Sequence, residues 1–266
     1  MTNGSQFKVK RVQVALEPGN GTHVLTPATE LAGRLKARIE GLLLDDSTAA
    51  DIGSGGSRYV SRLPTLTALP DLAAELRGLS RILEREMAGL ARGFDIPWSL
   101  RVVDQAAQAM LGELGPEDLL VATPRSRVLR QLIRPGMTLA ALTASIRHPL
   151  LLLTRPTRME HPVVCGCIDV AATRRAISAA VLMGGDVRDV DLAVAGEADE
   201  LAAQIATSVA VRIRPLRIGT GRAALALATT TAVHDLIVMP AALGGLGDLQ
   251  IADLLERLAL PLLIVP

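Results

Sequence analysis

Aromatic residues are nearly absent: Phe7, Tyr59, Phe94 and Trp98 are the whole set in 266 residues. That excludes a base-stacking nucleic-acid platform and leaves Ala, Val, Leu and Ile to build the core. Lysine is scarce too, with Lys8, Lys10 and Lys36 alone among 28 basic residues. Against 27 acidic residues the formal net charge is +1, which excludes a strongly basic nucleic-acid binder or an acidic tail as the main theme. The only cysteines are Cys165 and Cys167, so no disulfide framework is expected and a reducing compartment fits. No apolar run reaches the roughly 20 residues that span a bilayer; Leu139 to Leu153 is broken by Arg147, His148 and Pro149. Met1 to Lys10 lacks an apolar h-region, so no signal peptide and a cytoplasmic location are expected.

What is present is an alternation of short aliphatic runs and Ala/Leu-rich amphipathic segments. Strands are expected at Val9–Leu16, Arg38–Leu44, Trp98–Val103, Asp118–Ala122 and Leu150–Thr154. Helices are expected at Thr26–Lys36, Asp71–Arg92, Gln105–Leu114 and Thr138–Ile146, with Thr26 and Pro27 suited to a helix start. Ser47–Pro70 and the arginine-rich stretch after Ala122 read as loops. Such alternation implies parallel pairing through right-handed crossovers, with continuous apolar strands covered on both faces.

The pattern then restarts. Strands are expected at Val163–Ile168, Asp189–Val194, Val209–Ile218, Leu236–Met239 and Leu262–Val265. Helices are expected at Ala171–Leu182, Glu197–Ile205, Arg222–Thr230 and Asp248–Leu258. Asp118-Leu-Leu-Val121 is echoed by Asp235-Leu-Ile-Val238, and Pro149-Leu-Leu-Leu152 by Pro261-Leu-Leu-Ile264. The chain is therefore an internal repeat of one α/β unit, its second copy shorter.

In the order of these segments the sequence resembles the universal stress protein family in its tandem form. The features are Asp118-Leu-Leu-Val-Ala-Thr123, a loop, Gly136, a helix and Arg147-His148-Pro149-Leu-Leu-Leu-Leu153, with the echo ending Pro261-Leu-Leu-Ile-Val-Pro266. The resemblance implies two tandem five-stranded parallel-sheet domains, Rossmann-like and akin to the adenine nucleotide alpha hydrolase group. These are residues 1–156 and a shortened 160–266, joined by 157–159. It also implies that the closing strands, Leu150–Thr154 and Leu262–Val265, pair within the chain as a pseudo-dimer, with a further homodimer possible for such proteins.

In ATP-binding members of that family a Gly-x2-Gly-x9-Gly-Ser/Thr loop follows the fourth strand. Glycines there let the backbone approach the phosphates, and the next helix N-terminus stabilises their charge. Here the first loop aligns as Thr123-x2-Ser126-x9-Gly136-Met137, so the spacing survives while two glycines and the hydroxyl residue do not. Glu17 stands where the family's first-strand acid stands, and Leu44 ends the second strand. The second loop, Pro240 to Asp248, is too short, and Asp248 puts a carboxylate at the expected helix start, which favours capping over anion binding. Asp169 is expected to keep the acid of that half's first strand. Arg125, Arg127, Arg130 and Arg134 crowd the first loop; they suit either a solvated basic loop or a clamp for an anion or an acidic protein.

The candidate cofactor-binding residues are thus Glu17, Leu44, Thr123, Arg125, Ser126, Arg127 and Gly136, and the cofactor, if any, is ATP or AMP in the first unit. The expected function is a cytoplasmic, non-catalytic stress-response module. It would act by regulatory contact with a protein or small anion, with ATP binding weak or lost. The alternative is an ATP/AMP switch using the first unit only; a nucleotide-dependent enzyme is a third reading. Gly219-Thr-Gly221-Arg-Ala-Ala224 has dinucleotide-fingerprint spacing but sits after the third strand of its unit, without a following acid at the right distance. Cys165-Gly-Cys167 lacks the second ligand pair of a zinc site and reads as core packing or a redox sensor. His23, His148, His161 and His234 form no paired metal motif, and no nucleophile elbow or Walker loop occurs.

Overall fold

The computed structural model describes residues 7–17, 21–44, 72–103, 112–155, 158–166, 169–195, 198–207, 209–218, 233–240 and 250–266. The expected helices Gln105–Leu114 and Arg222–Thr230, the Ser47–Pro70 loop, the Gly219–Ala224 turn and Cys167 lie largely or wholly outside them.

In the first half β1 (Arg11–Leu16), α1 (Gly21–Leu35), β2 (Arg38–Leu44), α2 (Leu72–Phe94) and β3 (Trp98–Val103) are followed by β4 (Asp118–Ala122), α3 (Arg127–Leu132), α4 (Leu139–Ser145) and β5 (Leu150–Leu152). In the second half come β6 (Pro162–Cys165), α5 (Val170–Gly184), β7 (Asp189–Ala195), α6 (Ala198–Ala206), β8 (Arg212–Ile218), β9 (Leu236–Pro240), α7 (Ile251–Arg257) and β10 (Leu262–Val265). The ten described strands form one sheet in the order β3-β2-β1-β4-β5-β10-β9-β6-β7-β8. Every neighbouring pair is parallel except β5 with β10, which run antiparallel with Leu151 opposite Leu263. The fold is α/β and Rossmann-like, and the halves have the same strand order read outward from that junction.

Both faces of the sheet are covered. In β4 Leu119 and Val121 join one apolar cluster and Leu120 and Ala122 the other; β9 and β10 alternate likewise. The first cluster packs α1, α2, α5 and α6, the second α3, α4 and α7, and each runs through both halves. This is the aliphatic, nearly aromatic-free core that the composition requires.

Several expectations shift. Helix α1 starts at Gly21 with Pro27 inside it; proline in the first turn is the commoner pattern, which is why Thr26 reads as the start. The arginine-rich loop contains α3, too short to show an apolar repeat. Asp169 is no strand-end acid: β6 ends at Cys165, and Asp169 caps α5, its carboxylate accepting from Ala171 N–H (2.8 Å) and Ala172 N–H (3.1 Å). Helix α7 starts at Ile251 after Gln250, which makes no side-chain cap, so the expected start at Asp248 is corrected. No described helix is long and apolar enough to cross a membrane.

Candidate functional site

From β1 the chain crosses outward to β2, whereas from β4 it crosses the other way to β5. The gap between the C-terminal ends of β1 and β4 is therefore a topological switch point, where open α/β sheets bind ligands. Glu17 follows β1 and Thr123 follows β4, so folding brings these two sequence-selected positions to the same crevice.

There the loop is closed by its own residues. Thr123 C=O accepts from Ser126 N–H at 3.0 Å, forming a turn through Pro124 and Arg125. Ser126 is buried, and its hydroxyl caps α3 by accepting from Leu129 N–H at 3.3 Å. The Glu17 carboxylate accepts from Arg127 N–H. Two of the first donors of α3, which a bound anion would otherwise use, are thus taken by a carboxylate and a hydroxyl of the chain. Arg125 is exposed and Arg127 half-buried. Leu44 ends β2, and its side chain lies outside the described residues.

The remaining loop position has a different task. Met137 N–H donates to Arg134 C=O at 3.0 Å, closing a turn around Pro135 and Gly136, and Gly136 has φ 76°. A type II turn needs that conformation at its third residue, which glycine adopts without strain. Met137 C=O in turn accepts from Ile251 N–H at 3.1 Å, and Thr138 bridges Gln250. The turn is held by the start of α7 in the other half.

The four loop arginines do not converge as one clamp. Arg134 joins Arg147 and His148 along a cavity of about 520 Å³, which none of Arg125, Arg127 and Arg130 lines. Burial pushes the His148 imidazole down to about 4, against the opposing charge of Asp118. The grouping of Arg134, Arg147 and His148 is not visible as a motif; its one signal is the Arg147-His148-Pro149 step into β5.

Two polar clusters also escape a sequence reading. Arg11 pairs bidentately with Asp118 through Nε, which donates at 2.9 Å, and Nη2, and its third nitrogen, Nη1, donates to Glu40 at 3.3 Å; Gln13 donates to the same Glu40 at 2.7 Å. In the second half the Asp191 carboxylate meets His234 Nε2 at 2.8 Å and Arg214 Nε at 2.7 Å. Both lie toward the strand starts, away from the switch point. Cys165 is buried and its thiol is pushed up to about 12 by that burial, so it is a core residue and a poor nucleophile. Among the described residues no group of His, Cys, Asp and Glu is arranged to hold a metal ion.

The fold and crevice define an open, doubly wound and mostly parallel α/β sheet with its switch point between β1 and β4. A scan against protein-family models finds no match, and neither does a search of curated proteins. Solved structures do match. A universal stress protein from Archaeoglobus fulgidus DSM 4304 superposes with TM-score 0.59 at 11% identity, over 97% of this chain and 96% of its own. A protein of Pseudomonas aeruginosa PAO1 described as functionally unknown superposes with TM-score 0.52 at 16% identity, over 99% and 94%. The chain has the fold of a universal stress protein over essentially its whole length.

Proposed function

We propose that this chain is a tandem universal stress protein, with units 1–156 and 160–266 joined by 157–159. It works in the cytoplasm as a non-catalytic binding module of a stress response, through regulatory contact with a protein or small anion. One observation carries the reading: the Glu17 carboxylate occupies the Arg127 N–H at the start of α3. A phosphate arriving there meets a negative charge already in place, and the glycines that would let it approach the backbone are replaced by Thr123 and Ser126. The retained spacing to Gly136, which suggests an ATP or AMP switch, is accounted for by the Arg134–Met137 turn.

Native mass spectrometry of the purified protein tests this, followed by equilibrium dialysis with ATP, ADP and AMP. The expected result is no co-purified nucleotide and no saturable binding at millimolar ligand. A retained nucleotide, or saturation that a Glu17→Lys substitution alters, overturns it in favour of the switch.

A further inference from the structure

The cavity beside His148 is separate from the crevice at Glu17. It is bounded by residues before β4, by the Arg134–Met137 turn, and by the end of α4 running into His148. Because His148 and Leu114 precede β5 and β4, it opens toward the strand starts. Its volume of about 520 Å³ lies in the range of small-molecule sites.

Its lining divides into two kinds. Leu114, Leu132, Met137 and Ile146 give an apolar wall. Arg134 and Arg147 are exposed, and among the described residues they make no ion pair and no carboxylate lines the cavity. Asp118, the carboxylate that acts on His148, is itself paired with Arg11, so the two guanidinium groups give the described lining a positive potential. His148 is 2% exposed, and its Nε2 has no hydrogen-bond partner among the described residues. A buried ring nitrogen without a partner is uncommon and calls for one. The wall is also preorganised: Gly136 fixes the turn that carries Arg134, and α7 holds Met137 from the second half.

We propose that this cavity binds a small organic anion, a carboxylate or phosphate monoester on a compact apolar body, with Arg134 and Arg147 on its charged head. The apolar wall takes the body, and the planar guanidinium groups match either head bidentately. This deepens the binding-module reading, on which it rests, by giving the ligand's chemical class and its place.

Isothermal titration of the intact chain with hexyl phosphate, hexanoate, inorganic phosphate and hexanol tests it. Hexyl phosphate or hexanoate saturates one site per chain, and the preferred head separates the two anion sources. Inorganic phosphate, lacking the body, and hexanol, lacking the charge, bind at least about tenfold more weakly. The double substitution Arg134→Ala/Arg147→Ala lowers the amphiphile's affinity by about tenfold or more, as expected for a lost charge-assisted hydrogen bond. The charge-matched Arg81→Ala/Arg92→Ala, at exposed positions of α2, leaves it unchanged. In the unsubstituted protein the His148 ring nitrogen resonances move on saturation. The proposal is overturned if neither amphiphile saturates at millimolar concentration, if both double variants lose affinity equally, or if the His148 signals stay fixed. A co-purified nucleotide would overturn the preceding reading without touching these outcomes.

Discussion

His148, just before β5, is buried within reach of the Asp118 charge, and burial lowers its ordinary value of 6.5 to about 4. Between those values the unfolded chain takes up a proton that the folded one refuses, so stability falls as pH drops from 6.5 toward 4 and is unaffected above. Asp118 behaves differently. Burial alone would raise its carboxyl, but hydrogen bonds from Arg11 and Gly115 N–H and the Arg11 charge hold it below the usual range. Its contribution is lost only as pH falls through that depressed value, below the His148 window. Urea titrations at several pH values should therefore show a loss of a few kcal/mol between pH 6.5 and 4, and a His148→Leu variant should flatten that segment. An unchanged slope in the variant would place the titration elsewhere.

At the scale of elements, the junction of α5 with the segment leading into β6 is tightly made. A Cβ on Gly184 would lie 2.2 Å from Val187 Cγ2 and 2.3 Å from Met159 C=O, so backbone must move to admit it. The same segment is pinned by Asp235, whose carboxylate accepts from Glu160 and His161 N–H, each at 2.8 Å, and by Arg34, which donates to Arg158 C=O at 3.1 Å. Gly184→Ala is expected to destabilise by about 1–3 kcal/mol; a midpoint within error of the parent's in thermal unfolding would contradict that contact. The strands around this junction are legible in sequence because each is a continuous aliphatic run that needs burial on both faces. Helix α3 is not, because its buried pair, Val128 and Leu129, are neighbours and give no period. Asp169 as a helix cap and Glu17 as a partner for Arg127 are equally hidden: the first depends on where β6 stops, the second joins residues 110 apart in sequence. The arginines were legible as a group, but which of them faces a cavity depends on the turn at Gly136.

At the scale of the molecule, the two apolar clusters each pass through the β5–β10 junction, where Leu150, Leu151 and Leu152 face Ile264, Leu263 and Leu262. Heat should therefore unfold both halves together, and calorimetry should give a single transition. Leu151→Lys, which buries an unpaired charge there, should lower that transition as a whole by about 3 kcal/mol or more. Two resolved transitions in the unsubstituted protein would contradict the shared core. Among the described residues the sheet's outermost strands are β3 and β8, and β8 carries Pro215 within the strand, a residue that edges tolerate and that blunts further pairing.

The antiparallel pairing of β5 with β10 has one more consequence. Two strands on one chain meet at an effective concentration set by their tether, so dilution does not part them. An association between separate identical chains would impose the same crevice twice. Joined in one polypeptide, the halves are free to drift apart in chemistry, and a ligand held at Arg134 and Arg147 would be counted once per molecule.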